Sequence, residues 1–334
     1  MTTSNTLSLS ELNEQIQAHS GWIEQLKLEI SKIYLGDTHV LEGLLIGLLG
    51  NGHVLLEGLP GLGKTLLIKT LAQVFKLQFN RIQFTPDLLP SDITGTLIYN
   101  PSAGSFTTKK GPIFTHILLA DEINRAPSKV QSALLESMQE HQVTLGDTTY
   151  ALPKPFFVLA TQNPIEQEGT YSLPEAQIDR FMLQLEVTYP SKETELKILK
   201  AQSQLRDPEP INTLFSEKEI FETQRWIDKI YIDAKIENYI VDLVQATRVP
   251  EDYHLEAIKP LLRFGVSSRG VIALALAAKV HAFLQGRGYV VPQDVKSVAF
   301  PALRHRINLS YEAESDRVTS DQIITKILET IPVP

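Results

Sequence analysis

Val54-Leu55-Leu56-Glu57-Gly58-Leu59-Pro60-Gly61-Leu62-Gly63-Lys64-Thr65-Leu66-Leu67-Ile68 is the stretch that decides the fold. Val54 to Leu56 is an apolar run that reads as a buried strand. Leu66 to Ile68, continued by Leu71 and Ala72, reads as a helix. Between them lies a glycine loop. A strand, a glycine loop and a helix start together form an anion site, because unpaired backbone N–H groups converge there. Glycines let those groups approach a phosphate without a Cβ in the way. The phosphate-binding set is therefore Gly58, Leu59, Pro60, Gly61, Leu62, Gly63, Lys64, Thr65 and Leu66. Lys64 would reach the outer phosphates, and the Thr65 hydroxyl would hold Mg²⁺.

A phosphate loop that hydrolyses its ligand needs an acidic strand end. Ile117-Leu118-Leu119-Ala120 runs into Asp121-Glu122. Asp121 is expected to hold Mg²⁺ through water, and Glu122 to polarise the attacking water as a general base. A further apolar strand, Phe156 to Ala160, leads to Asn163. By itself Asn163-Pro164 reads as a turn. Placed after the loop and the acidic strand, Asn163 either orients the water or contacts the outer phosphate. Arg180, in Asp179-Arg180-Phe181, reads either as a surface partner of Asp179 or Glu175 or as an arginine finger. Arg269, in Ser267-Ser268-Arg269-Gly270, reads either as a surface residue at a helix start or as a phosphate sensor.

Around these motifs, strands alternate with helices up to about Val187. Such alternation implies an α/β fold, a three-layer α/β/α nucleotide domain with a mostly parallel sheet. Thr96–Tyr99 with Ser105–Thr108, and Gln142–Leu145 with Thr148–Ala151, read as two hairpins. From Ser191 the patterns turn helical, with the switch to an all-helical lid domain near Asp207-Pro208-Glu209-Pro210. Ser8 to Glu11 resembles a capping box. It opens a helical stripe of Leu12, Ile16, His19, Ile23, Leu26, Ile30 and Ile33. The expected division is a helix over residues 1–34, a nucleotide domain over 35–206 and a lid over 207–334. Length agrees with about two domains of roughly 100–200 residues each.

Composition closes off other classes. Hydrophobic residues make up 43% of the 334, which suits a sizeable core. Thirty-one basic against 39 acidic residues give a net charge of −8, which argues against a broad nucleic-acid footprint. There are no cysteines, so disulfides, iron–sulfur clusters and cysteine zinc sites are absent. No His-Glu-x-x-His pairing occurs among the eight histidines. Met1 to Ser10 lacks a basic start and an apolar stretch, and no run reaches the roughly 18–20 apolar residues of a membrane span. A cytoplasmic location is expected. Asp92-Ile93-Thr94-Gly95 matches a GTPase pattern but falls in a polar loop, with no guanine-recognition motif to accompany it.

The order of phosphate loop, Asp-Glu strand, Asn strand, Asp-Arg-Phe and Ser-Arg resembles the AAA+ ATPases. Leu118-Leu119-Ala120-Asp121-Glu122-Ile123-Asn124-Arg125-Ala126-Pro127 narrows the likeness to the MoxR family, with Thr161-Gln162-Asn163-Pro164 and Leu173-Pro174-Glu175-Ala176-Gln177. The match runs from about Tyr34 to near Arg306. The resemblance implies an ATPase that uses ATP and Mg²⁺ and forms a homo-oligomeric, commonly hexameric, ring. Arg180 would then act in trans on a neighbour's ATP. It also implies a chaperone-like remodeller of protein clients, working with a von Willebrand factor A domain adaptor and assisting maturation or metal insertion. The chain departs from the family at Ser268 and Gly270, where proline and alanine are usual. A glycine there costs up to about 1 kcal/mol of helix stability relative to alanine. A DNA-dependent motor and a nucleotide-binding scaffold without turnover are the alternatives.

Overall fold

The apolar runs read above become neighbouring strands. The computed structural model describes residues 8–59, 61–102, 104–163, 170–203 and 210–334. Nine strands come first: β1 (Val54–Gly58), β2 (Phe79–Gln83), β3 (Gly95–Asn100), β4 (Ser105–Lys110), β5 (Ile117–Asp121), β6 (Gln142–Leu145), β7 (Thr148–Ala151), β8 (Phe157–Gln162) and β9 (Leu183–Val187). Five form one sheet in the order β2-β5-β8-β1-β9. The pairs β2–β5, β5–β8 and β1–β8 are parallel. β5 is buried through Ala120 and β8 through Thr161. Their near-continuous apolar runs are what a sheet covered on both faces requires.

Parallel neighbours need crossovers, and the helices Lys64–Val74 and Ser128–Glu140 supply two of them. The helix Thr38–Leu49 is capped by Asp37, whose side chain accepts from the His39 N–H at 2.8 Å. It is apolar nearly all round because nine of its residues are buried. Asp92 of the GTPase-like tetrapeptide has a local duty instead. Its carboxylate accepts from the Leu89 N–H at 2.8 Å and starts a short helix.

Both expected hairpins are present, as β3–β4 and β6–β7. β4 is exposed along its whole length, as is β3 beyond Gly95. The first ribbon is tied down at its base. Lys110 Nζ lies 4.8 Å from the Phe114 ring centroid and 5.0 Å from that of Tyr150, and Thr108 bonds the Tyr150 hydroxyl at 3.0 Å.

The chain divides into two compact units. One comprises residues 26–181 and 185–220, the other 1–25, 182–184 and 221–334. The expected boundary between nucleotide domain and lid, at 206, falls within 204–209, which lie outside the described residues. The helical stripe near the N-terminus is carried by two helices, Leu9–Ser20 and Trp22–Ser31, with Gly21 in the turn between them. The capping box is present, with Ser8 accepting from the Glu11 N–H. His19, the polar member of the stripe, is exposed and stacks on Trp226 with centroids 4.6 Å apart.

The second unit is built mainly from helices, including Ala234–Gln245, Ser268–Leu284, Pro292–Leu303 and Ser320–Thr330. It also carries a short antiparallel ladder of β10 (Leu262–Phe264) and β11 (Asn308–Leu309). Gly270 sits buried in its longest helix, and a Cβ there would collide with Val266 Cγ1. The glycine therefore permits close packing of the fully buried Val266, at the expense of local helix propensity. No helix among the described residues is long and apolar enough to cross a membrane.

Candidate active site

The register of the sheet builds the site. Leu56 lies opposite Thr161 across β1–β8, and Gln83 lies opposite Asp121 across β2–β5. The carboxyl ends of β1, β2, β5 and β8 thus meet at one edge, where open α/β sheets bind ligands. A cavity of about 380 Å³ opens there. Gly58, Gly61, Leu62, Gly63, Lys64, Thr65, Leu66, Asp121, Glu122 and Asn163 line it, with Arg81, Thr161 and Gln162. Leu59 is half-buried and is not among the lining residues, and Pro60 lies outside the described residues.

The loop geometry explains the glycines. Gly63 caps the helix Lys64–Val74 with φ 75°, in the left-handed region that side chains disfavour. A Cβ on Gly58 would stand 2.5 Å from the Val187 carbonyl oxygen. The N-terminus of that helix faces the cavity with its unpaired N–H groups, the arrangement that attracts an anion. Lys64 Nζ donates to the Gly58 carbonyl at 2.6 Å. Burial lowers the Lys64 pKa, opposed by Asp121 and Glu122 nearby.

The two acidic residues are held differently. Asp121 Oδ2 accepts from Arg81 Nη2 at 2.6 Å and from Arg81 Nε at 3.1 Å. Its Oδ1 accepts from the Thr161 hydroxyl at 2.6 Å. Glu122 has φ 55° and ψ 51°, an uncommon conformation for a residue with a side chain. Its Oε2 accepts from Gln83 Nε2 at 2.8 Å and from Arg125 Nη1 at 3.0 Å. Asn163 is buried at the end of β8.

Arg180 is not among the residues that line this cavity, and Arg269 belongs to the other compact unit. Arg180 Nη1 donates to the Leu135 carbonyl at 2.8 Å, and its Nε is buried without a hydrogen-bond partner among the described residues. Arg269 is exposed in the first turn of Ser268–Leu284, its N–H donating to the Ser267 hydroxyl at 3.1 Å. Conversely, reading the sequence left Arg81, Gln83, Arg125 and Gln162 unassigned, and gave Thr161 no role beyond its motif. The only local signal for the first two was a pair of polar side chains two apart on β2, hence on one face of the strand.

The donor set fits Mg²⁺ in the way nucleotide sites usually hold it. No cluster of three or more His, Cys, Asp or Glu side chains suited to a metal occurs among the described residues. A hydroxyl (Thr65) and a carboxylate (Asp121) border the same cavity. Mg²⁺ keeps several waters and takes one or two carboxylates plus substrate phosphates, so this set suffices.

The chain is similar to known proteins along most of its length. Residues 53–183 match the family described as ATPases associated with various cellular activities, and residues 255–327 match an AAA lid domain. The chain is 43% identical over 321 residues to Chaperone MoxR1 of Mycobacterium tuberculosis, covering 96% of this chain and 85% of that one. It is 31% identical over 328 residues to Protein MoxR of Paracoccus denitrificans, covering 91% and 94%. A crystal structure of an ATPase candidate from Cytophaga hutchinsonii superposes with a TM-score of 0.90 at 48% identity, covering 97% and 98%. With its glycine cradle, acidic strand end and lid, the chain belongs to the MoxR family of AAA+ ATPases.

Proposed function

We propose that this protein hydrolyses ATP as a ring-forming MoxR-type ATPase and spends the conformational change on remodelling or maturing a protein client. One observation carries the hydrolytic part. Lys64 and Thr65 at a helix N-terminus border the same cavity as Asp121, Glu122 and Asn163.

In this reading the loop N–H groups and Lys64 bind the β- and γ-phosphates. Thr65 and Asp121 would hold Mg²⁺, which would neutralise phosphate charge when bound. Glu122 accepts a proton from the water that attacks the γ-phosphorus. The bond to the bridging oxygen breaks, and ADP leaves with that oxygen. Asn163 orients the water or the γ-phosphate. Gln83 and Arg125 hold the Glu122 carboxylate. Arg180 belongs to the neighbouring subunit's reaction, where its guanidinium offsets charge on the transferred phosphoryl group. Arg269 reports phosphate occupancy to the lid. The chaperone name of the Mycobacterium relative supports client remodelling. An adaptor with a von Willebrand factor A domain and metal-cofactor insertion extend that part of the reading.

ATP turnover by purified variants tests it. Glu122→Gln should bind ATP yet turn it over on the order of 10²–10⁴-fold more slowly, the usual contribution of a general base. Lys64→Ala should abolish hydrolysis. Wild-type turnover in Lys64→Ala would refute the site assignment. For action in trans, Arg180→Ala subunits mixed with Lys64→Ala subunits should regain some activity. No rescue at any ratio would count against it.

A further inference from the structure

We propose that Thr161 is the positioning residue that holds Asp121 and Glu122 in a common working geometry, so that it governs ATP turnover through them. The inference rests on the hydrolytic reading above.

Thr161 lies on β8, directly after Ala160, which pairs with Ala120 of β5. That register puts its side chain beside the end of β5. It is 2% exposed. A hydroxyl has one proton and two lone pairs, and both capacities are used here across the strand gap. The proton goes to Asp121 Oδ1 at 2.6 Å, and the oxygen accepts the Glu122 N–H at 2.8 Å. An ordinary buried threonine often satisfies its hydroxyl on nearby backbone of its own segment. This one reaches two consecutive residues of another strand end, and both border the nucleotide cavity.

The bond to Glu122 matters because of its backbone. A left-handed φ and ψ at a glutamate persist only where surrounding groups enforce them. Two bonds enforce them here: the one from its N–H to Thr161, and the Arg125 N–H donating to the Glu122 carbonyl at 2.9 Å. This turn sets where the Glu122 carboxylate points. Removing the hydroxyl orphans the Glu122 N–H and leaves Asp121 Oδ1 without its donor, while Arg81 still holds Oδ2. The two carboxylates then lose their common anchor, and Glu122 is free to leave its turn. A shift of about 1 Å at a reacting group can cost on the order of 10²-fold in rate.

The test compares Thr161→Val, Thr161→Ser and wild type, each also in a Glu122→Gln background. Turnover is measured with ATP, and binding with a fluorescent ATP analogue. Thr161→Val should bind the analogue within about threefold of wild type and lose on the order of 10–100-fold in kcat. Thr161→Ser keeps the oxygen and should restore most of that loss. In the Glu122→Gln background the valine change should cost much less, because the group it positions is already gone.

Wild-type kcat in Thr161→Val would overturn the proposal. So would a serine variant as impaired as the valine one, or an equal valine loss in both backgrounds. Loss of nucleotide binding together with turnover would reduce Thr161 to a structural role and overturn it as well. If Thr161→Val fails to fold, the serine variant decides: near-wild-type kcat supports the proposal, and a large kcat loss with binding intact overturns it. Wild type and Glu122→Gln hydrolysing ATP at equal rates is the separate signature that the hydrolytic reading itself has failed.

Discussion

Of the aspartates paired with arginine among the described residues, Asp294 and Asp121 sit in opposite circumstances. Asp294, near the start of the helix Pro292–Leu303, is fully buried beside Arg287, whose side chain is 24% exposed. Asp121, at the end of β5, is 16% exposed and its partner Arg81 is 49% exposed. Asp294 is saturated. Its Oδ1 meets Arg287 Nη2 and lies 2.7 Å from His281 Nδ1, while Oδ2 accepts from Arg287 Nη1 and the Val291 N–H at 2.7 Å each. Asp121 has one oxygen on a buried hydroxyl and the other on a guanidinium half in water. The lesson concerns exchange. A buried carboxylate with every lone pair filled is a structural rivet, whereas one with a solvated partner can trade that partner for a ligand.

The largest expected effect tests the rivet. Asp294→Ala leaves the Arg287 charge without its counter-ion and should destabilise by about 3–5 kcal/mol, read from urea unfolding. A loss below about 1 kcal/mol would erase the distinction between the two sites. Acid sharpens the same point. Burial pushes the Asp294 pKa up, but its bonds to Arg287, His281 and the Val291 N–H outweigh that and hold it below the ordinary 3.8. A carboxyl with a depressed folded pKa contributes stability that is present above its unfolded pKa and lost as pH falls through the folded one. The stability gap between wild type and Asp294→Ala should therefore stay constant above about pH 5 and narrow below about pH 4. A gap unchanged down to pH 2 would contradict the charge-based account.

Arg81→Ala should have the smallest effect on stability, at most about 1 kcal/mol, because an exposed ion pair contributes little. Its effect should fall on function instead. Removing a cation from the cavity wall should lower kcat/KM for ATP about tenfold, the worth of one charge-assisted hydrogen bond to phosphate. If Arg81→Ala costs as much stability as Asp294→Ala, the open pair is a rivet too.

Much of the site was legible because its signals are local. The glycine cradle, the apolar run into Asp121-Glu122 and both hairpins lie within short windows, and each pattern has a direct backbone cause. Helix starts such as Ser8 and Asp37 were legible for the same reason, since a cap acts within three residues. Thr161 and Arg81 were not, because each stands 40 residues from Asp121 and reaches it only through the β2-β5-β8 order. Gly270 looked like a defect in a helix. The side chain that needs its missing Cβ, Val266, became visible only on packing.

The sequence by itself determined the chemistry offered: a phosphate cradle, a lysine, a hydroxyl, two acids and an amide, each on the strand end or helix start that its own neighbours dictate. Tertiary structure decided how those groups are held. Strand order and register are long-range properties, set by which apolar faces bury together, and no short window encodes them. They placed Arg81 on Asp121, Thr161 between the two acids, and Glu122 in a backbone conformation its own residue type would not choose.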